Sequence, residues 1–254
     1  MDVFWLEQSD ADLPAGDDWL TARERATLNA MRFPKRRADW RLGRWTAKRA
    51  LSAYLSLLDY HQALTNIEIR PAASGAPEAF IANRPASAAI SLSHCNGNAV
   101  CLVAPSGTAL GCDLELVEPR SDGFVADYFT AEEQELIAQA SAADRSCLPT
   151  LLWSAKESAL KALHQGLRLD TRSVTVSLSE GTTTSKSDRE TAAANPDSAL
   201  GQCFSVWRPL EVRCTNGDFF RGWWQKTGNL LRTLVAAPAP SSPIVLKAAS
   251  SNRD

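Results

Sequence analysis

Two short stretches of the sequence place charged side chains at spacings that suit binding of a metal ion and a phosphate. The first is Thr108–Val117, where one residue separates Asp113 from Glu115. This apolar run predicts a strand, and residues i and i+2 of a strand share a face, so the two carboxylates should project together. Adjacent carboxylates repel unless a cation lies between them, and Mg²⁺ bridges such ligands to substrate phosphates. A solvated strand edge is the alternative.

The second stretch, Leu152–Leu163, has the composition of a helix without internal Gly or Pro. Glu157 and Lys161 are four residues apart and should occupy neighbouring positions on the helix surface. Taken alone, this pair is typical of a surface salt bridge worth a few tenths of a kcal/mol. Together with the upstream strand, the helix could instead supply a third carboxylate to a metal site.

A basic segment predicts a phosphate-binding face on an earlier helix, over residues 36–58. The segment begins with Lys35 and Arg36 and continues with cations at helical spacing, which are Arg37, Arg41, Arg44 and Lys48. Arginine binds phosphate through two parallel hydrogen bonds, so a stripe of this kind suits an anionic ligand. A solvated cationic face is the alternative.

A histidine is predicted to lie at the end of a strand, next to a tight turn. Strands are expected over Ala88–Ser93 and Ala99–Ala104, and the Asn96-Gly97 pair between them is a strong hairpin signal. His94 therefore stands where functional side chains often occur, although a lone histidine is more often structural.

The two acidic stretches together resemble the paired signature of the Sfp-type 4'-phosphopantetheinyl transferase family. That signature is Gly-x-Asp-x-Glu followed by Trp-x-x-Lys-Glu-(Ala/Ser)-x-x-Lys, and Gly111–Glu115 and Trp153–Lys161 meet every fixed position. Ser93-His94 matches a Ser-His pair of the family. The chain departs from the family at Gly75-Ala76-Pro77, where a basic residue is frequent in place of Ala76, and at Cys95, where Ser is frequent.

The resemblance implies transfer of phosphopantetheine from coenzyme A to a serine of an acyl or peptidyl carrier protein, with release of 3',5'-ADP. It implies a Mg²⁺ ion held by Asp113, Glu115 and Glu157. Glu157 would be a metal ligand, the base, or both, and Lys161 would neutralise the pyrophosphate or protonate the leaving oxygen. The expected catalytic residues are Asp113, Glu157 and Lys161. The residues expected to bind coenzyme A are Arg37, Arg44, Lys48, Ser93, His94, Lys156 and Lys161.

An internal repeat predicts the architecture. Thr21-Ala22-x-Glu24 recurs as Thr130-Ala131-x-Glu133, and the segment around Trp45 recurs around Trp153 at nearly the same offset. We therefore expect an α+β fold of two similar lobes related by a pseudo-twofold, with the active site in the cleft between them, as the resemblance also implies. The expected units are an N-terminal lobe (1–107), a C-terminal lobe (108–237) and a flexible tail (238–254).

Composition excludes several other classes of protein. The 254 residues carry a formal net charge of −2, which argues against a nucleic-acid-coating protein, and no apolar run approaches membrane-spanning length. Six scattered cysteines form no Cys-x-x-Cys pair, and the N-terminus lacks signal-peptide features. We expect a cytoplasmic monomer with a mobile loop over Glu180–Ser198. The alternatives are another Mg²⁺-dependent phosphotransferase or phosphodiesterase, and a non-catalytic module that binds a carrier protein.

Overall fold

The computed structural model describes residues 1–142, 144–178 and 204–247, which form an α+β fold. The helices are α1 (Ala22–Ala30), α2 (Pro34–Ser56), α3 (Asp122–Tyr128), α4 (Ala131–Gln139) and α5 (Cys147–Ala162). The strands are β1 (Phe4–Ser9), β2 (Ile67–Pro71), β3 (Pro77–Ile81), β4 (Arg84–Pro85), β5 (Ala88–Cys95), β6 (Asn98–Pro105), β7 (Ala109–Leu116), β8 (Val174–Leu178), β9 (Phe204–Cys214), β10 (Phe219–Thr227), β11 (Leu230–Ala237) and β12 (Ile244–Val245).

Apart from β12, each sheet is built from strands of one half of the chain. The N-terminal half contains the sheet β12-β1-β6-β5 and the small sheet β2-β3-β4, and α2 packs on both. The C-terminal half contains the sheet β7-β11-β10-β9-β8, with α5 across β7 and β11. Each half thus has one long helix on a largely antiparallel sheet, so its apolar face is covered.

A buried ion pair fastens the helices of the N-terminal half to its small sheet. Thr21 caps α1 and forms a capping box with Glu24. The Glu24 carboxylate lies 2.5 Å from the Lys48 ammonium on α2 and accepts a hydrogen bond from the Ile69 N–H on β2. One carboxylate therefore accepts hydrogen bonds from the N-terminus of α1 and from β2, and it also pairs with a lysine of α2.

The same arrangement occurs in the C-terminal half, as expected for an internal repeat. Thr130 caps α4 through a capping box with Glu133. Glu133 lies 2.7 Å from the Lys156 ammonium on α5 and accepts a hydrogen bond from the Val176 N–H on β8. The recurrence in sequence is thus a recurrence in structure, while the pseudo-twofold itself stays a prediction.

An apolar layer joins the two halves. Trp5 and Leu102 of the N-terminal sheet pack in one cluster with Cys112 and Leu234 of the C-terminal sheet. This contact brings β5 against β7. The strand that ends at the predicted histidine therefore lies beside the strand that carries the predicted carboxylates.

The prediction of a flexible tail from residue 238 is wrong for residues 238–247. Ile244–Val245 pairs in parallel with β1, and Leu246 is buried in the N-terminal core. The predicted loop Glu180–Ser198 lies outside the described residues, and so do residues 248–254. Within the described part of the chain, no helix is long and apolar enough to cross a membrane.

Candidate active site

Gly111 determines how closely α5 approaches β7. A Cβ atom at this position would lie 1.8 Å from the carbonyl oxygen of Ser158, so any side chain would push the helix away from the strand. The absence of a side chain therefore lets α5 rest directly on β7. This packing brings Lys161 on the helix to Asp113 on the strand.

Lys161 connects the two halves of the molecule. Its ammonium donates to Asp113 Oδ1 at 2.8 Å, to the Cys112 carbonyl at 3.0 Å and to Ser93 Oγ at 3.1 Å. Ser93 in turn donates to Asp113 Oδ1 at 2.9 Å. Burial lowers the pKa of Lys161, but the acidic groups around it, Asp113 above all, outweigh burial and raise that pKa. The lysine is held as a cation at the contact between β5 and β7.

Glu115 and Glu157 share the electrostatic environment of Asp113. Burial is the main cause that raises the pKa of each glutamate, and the negative charge of Asp113 raises both further. Arg120, 3.2 Å from Glu115, and Lys161, near Glu157, offset this only in part. Glu115 also raises the pKa of Glu157, so the structure brings together the three carboxylates that the sequence singled out.

The three carboxylates have the oxygen ligands that a hard divalent cation prefers. Asp113 Oδ2 is buried and has no hydrogen-bond partner. A cation with oxygen ligands would satisfy this atom and relieve the mutual repulsion of the carboxylates. Among the described residues, no group of three or more His, Cys, Asp or Glu side chains is placed so that it could hold a metal ion, and the Mg²⁺ site stays a prediction.

A cationic cleft of about 610 Å³ adjoins these residues through Ser93. Its walls carry one carboxylate, Asp39, and the basic side chains Lys35, Arg36, Arg44 and His94. The Arg44 guanidinium lies 4.8 Å from the centre of the Trp40 ring, and its buried Nε has no hydrogen-bond partner. Burial lowers the pKa of Arg44, and the charge of Glu24 offsets this effect only in part.

Comparison with known proteins finds a similarity in the C-terminal half of the chain. Residues 109–203 match the model of the 4'-phosphopantetheinyl transferase superfamily, and that segment contains Asp113, Glu115, Glu157 and Lys161. The similarity is thus carried by the segment that contains the carboxylates and Lys161.

One solved structure similar to this chain is a holo-(acyl-carrier-protein) synthase from Bacillus anthracis str. Ames, in complex with CoA (3',5'-ADP). It is 19% identical, covers 40% of this chain and 92% of its own, and has a TM-score of 0.32. No curated protein sequence matches the chain.

Two of the residues predicted to bind coenzyme A do not face the cleft. Lys48 and Lys156 are fully buried. Besides its glutamate, Lys48 donates to the carbonyls of Trp19 and Leu64, and Lys156 donates to the carbonyls of Thr171 and Val174. The prediction that these lysines bind coenzyme A is therefore wrong, because their ammonium groups hold helices to neighbouring elements.

Arg37 is also directed away from the cleft. Its guanidinium donates to the carbonyls of Leu28 and Met31 at the end of α1, where unpaired carbonyls attract a cation. Arg41 behaves similarly, since it pairs with Asp17 at 2.8 Å. Of the predicted stripe, Arg44 is the member that reaches the cleft.

Sequence reasoning missed part of the cleft wall. Lys35 and Arg36 belong to the basic segment but precede the stripe, and Trp40 carries no charge. Their position follows from the start of α2 at Pro34, which turns the first helical residues toward the hairpin that bears His94. The sequence signal for this helix start was Pro34, which follows Phe33, because proline is frequent at the first position of a helix.

Proposed function

We propose that this protein transfers the 4'-phosphopantetheine group of coenzyme A to a serine hydroxyl of an apo carrier protein and releases 3',5'-ADP, as an Sfp-type enzyme. One observation carries the proposal. Lys161 joins Ser93 at the edge of a cationic cleft to Asp113 among three carboxylates. A nucleotide with several phosphates would place its ends in these two environments.

The cleft is suited to the adenosine phosphates of coenzyme A. Arg44 and His94 would contact the 3'-phosphate, and Lys35 and Arg36 extend the same cationic wall. The unpaired Arg44 Nε is a donor available to a phosphate oxygen. The face of the Trp40 ring is occupied by the Arg44 guanidinium, which holds that cation in place.

The carboxylates that adjoin the cleft through Ser93 are suited to the reacting pyrophosphate. Asp113, Glu115 and Glu157 would hold a Mg²⁺ ion, whose charge would stabilise the pyrophosphate and the departing phosphate. Lys161 adds a second positive charge at the same place, since its ammonium already lies between Ser93 and Asp113. Preorganised charge is the main source of catalysis in phosphoryl transfer.

The transfer itself exchanges one P–O bond for another. The carrier serine oxygen bonds to the phosphorus that bears pantetheine, and the bond from that phosphorus to the 3',5'-ADP oxygen breaks. Glu157 accepts the serine proton, because burial and its acidic neighbours raise its pKa and make it a stronger base than an ordinary glutamate. Lys161 stabilises the negative charge on the departing oxygen.

Intact-mass spectrometry of a carrier protein tests the proposal. The protein is incubated with coenzyme A, Mg²⁺ and an apo acyl or peptidyl carrier, and we expect the carrier to gain one phosphopantetheine group. Lys161→Met and Glu157→Gln should each lower the rate by about 10²-fold or more. Glu135→Gln, on an exposed face of α4, is the matched control and should not.

Two further measurements distinguish the proposed transfer from the alternative functions. Chelator should abolish the gain in mass, and added Mg²⁺ should restore it. Folded protein that modifies neither carrier type would contradict the transferase proposal and favour another Mg²⁺-dependent phosphate-ester reaction. If Glu157→Gln kept full activity, the assignment of that residue as base and metal ligand would be wrong.

A further inference from the structure

A second cleft, of about 450 Å³, lies at another contact between the two halves. It is lined by residues of β1, β6, β10 and β11, among them Trp5, Glu7, Gln8, Thr227 and Arg232. It shares no lining residue with the cationic cleft. Nothing in the proposed transfer reaction uses it.

The internal repeat relates the second cleft to the catalytic one. The β5–β6 hairpin closes with Cys95 opposite Asn98, and the β10–β11 hairpin closes with Thr227 opposite Leu230. Each hairpin is joined to the first strand of its half in an equivalent register. That strand is β1 in the N-terminal half and β7 in the C-terminal half.

Superposing the hairpins aligns Ser9 with Leu116, because these residues stand opposite Asn98 and Leu230 respectively. One residue back along each strand, Gln8 takes the place of Glu115, and two residues further back Leu6 takes the place of Asp113. The second cleft is therefore the repeat-related counterpart of the catalytic site. A neutral amide and an apolar side chain have replaced its metal-binding carboxylates.

The counterpart cleft still contains unpaired polar atoms. Gln8 and Trp5 both line it and are each about 91% buried, since 9% of either residue is exposed. Gln8 Oε1 and Trp5 Nε1 are buried and form no hydrogen bond. One is an acceptor and the other a donor. Buried polar groups without a partner are rare in folded proteins and indicate a missing partner.

The carboxylates of the counterpart cleft already have partners. Glu7 forms a two-fold hydrogen-bonded ion pair with Arg232, which connects β1 to β11. Asp12 accepts hydrogen bonds from both the N–H and the hydroxyl of Ser9. A charged ligand would have to break one of these pairs, so the cleft favours a neutral ligand.

We propose that the counterpart cleft binds a small neutral molecule containing a secondary amide. The amide carbonyl accepts a hydrogen bond from Trp5 Nε1, and the amide N–H donates to Gln8 Oε1. Both atoms lie beneath the cleft surface, so the two side chains turn toward the ligand when it enters. The volume of the cleft is within the range that accommodates a small organic ligand. This inference does not depend on the transferase activity.

The indole N–H of Trp5 provides a direct readout. Protein labelled with ¹⁵N-tryptophan is titrated with N-acetylalanine N-methylamide, and the indole signals are followed by NMR. We expect a saturable downfield shift of the Trp5 signal, which a Trp5→Phe variant identifies. The Trp19 signal is the internal reference, because its indole already donates to the Gly16 carbonyl at 2.9 Å and should not shift.

Two controls make the result decisive. The anionic analogue N-acetylalanine should bind at least about tenfold more weakly, and Gln8→Leu should weaken binding of the neutral amide by a similar factor. Unchanged Trp19 and other indole signals would show that this variant is folded. A Trp5 signal that does not shift, or that shifts linearly without saturation, would overturn the proposal. Equal binding by Gln8→Leu would overturn the assigned contacts.

Discussion

Adjacent residues of α5 serve different purposes, although both are charged. Lys156 points into the C-terminal core and is fully buried, whereas its neighbour Glu157 is partly exposed near Asp113 and Glu115. Successive residues of a helix point in directions about 100° apart, so adjacent Lys and Glu side chains do not readily contact the same ligand. The pair therefore divides into Lys156, which holds α5 to the core, and Glu157, which faces the other two carboxylates of the candidate site.

Glu157→Gln should stabilise the metal-free protein at neutral pH. The pKa of Glu157 is raised in the folded state, chiefly by burial, so ionised Glu157 destabilises the fold. Stability from the protonated form is complete below the unfolded pKa and is lost as pH rises through the folded pKa. The advantage of the variant should therefore appear as pH rises above about 4.3 and be complete at neutral pH.

Urea unfolding with chelator, at a series of pH values, measures this effect. Glu135→Gln, at an exposed position, is the matched control and should show little change. With saturating Mg²⁺ we expect the order to reverse, because a bound cation stabilises the ionised wild-type site. A variant that is less stable than the wild type without metal would show that Glu157 has a favourable partner in the folded state.

Lys156→Met should destabilise the protein by about 3–5 kcal/mol, because it leaves the buried Glu133 carboxylate without its cation. Urea unfolding measures the loss, and the KM for coenzyme A provides the contrasting readout. We expect a large loss of stability and little change in KM. A stable variant with a strongly raised KM would restore the sequence-based interpretation that Lys156 contacts coenzyme A.

At the scale of elements, local sequence signals agree with the structure where an element boundary does not depend on distant contacts. Capping boxes at Thr21 and Thr130 marked the starts of α1 and α4 correctly. The Asn96-Gly97 turn is present, with positive φ at both residues, as this turn requires. Contacts between distant elements can override such local signals. Proline cannot donate a hydrogen bond within a sheet and often ends a strand, yet β9 continues through Pro209, which lies opposite Trp223 on β10.

Gly111→Ala should destabilise the protein by about 3 kcal/mol or more, because its Cβ would overlap the Ser158 carbonyl on α5. It should also abolish carrier modification, since displacement of α5 separates Lys161 from Asp113. Thermal unfolding and the carrier mass assay measure the two effects. Gly123→Ala on α3 is the matched control, because the nearest atom to its Cβ is 3.9 Å away. Tolerance of Gly111→Ala would mean that the helix–strand distance is adjustable.

At the scale of the whole molecule, the candidate site depends on contacts that no local pattern encodes. The sequence singled out the carboxylates and Lys161 by their spacing, and Ser93 by the family resemblance, as separate signals. It could not show that Lys161 bridges β5 and β7, because this depends on the packing of one half against the other. Assigning Lys48 and Lys156 to coenzyme A failed for the same reason, since burial against Glu24 and Glu133 is a tertiary property.

The C-terminal segment contributes to this packing by returning to the N-terminal half. After β11, the chain runs back to β1, where Ile244 stands opposite Phe4 and Leu246 donates its N–H to the Trp5 carbonyl. The Leu246 side chain is 4% exposed and packs in the N-terminal core. The segment therefore covers an edge of the sheet that would otherwise be open.

Leu246→Ala should therefore lower the free energy of unfolding by about 2–5 kcal/mol, as for other buried leucines. Val245→Ala, on the same strand but 60% exposed, should cost far less. Urea unfolding of both variants, followed by tryptophan fluorescence, measures the difference. Because β1 also carries Trp5 and Gln8, Leu246→Ala should weaken amide binding in the counterpart cleft more than it slows carrier modification. Equal free energies of unfolding for the two variants would show that packing of this segment does not stabilise the protein.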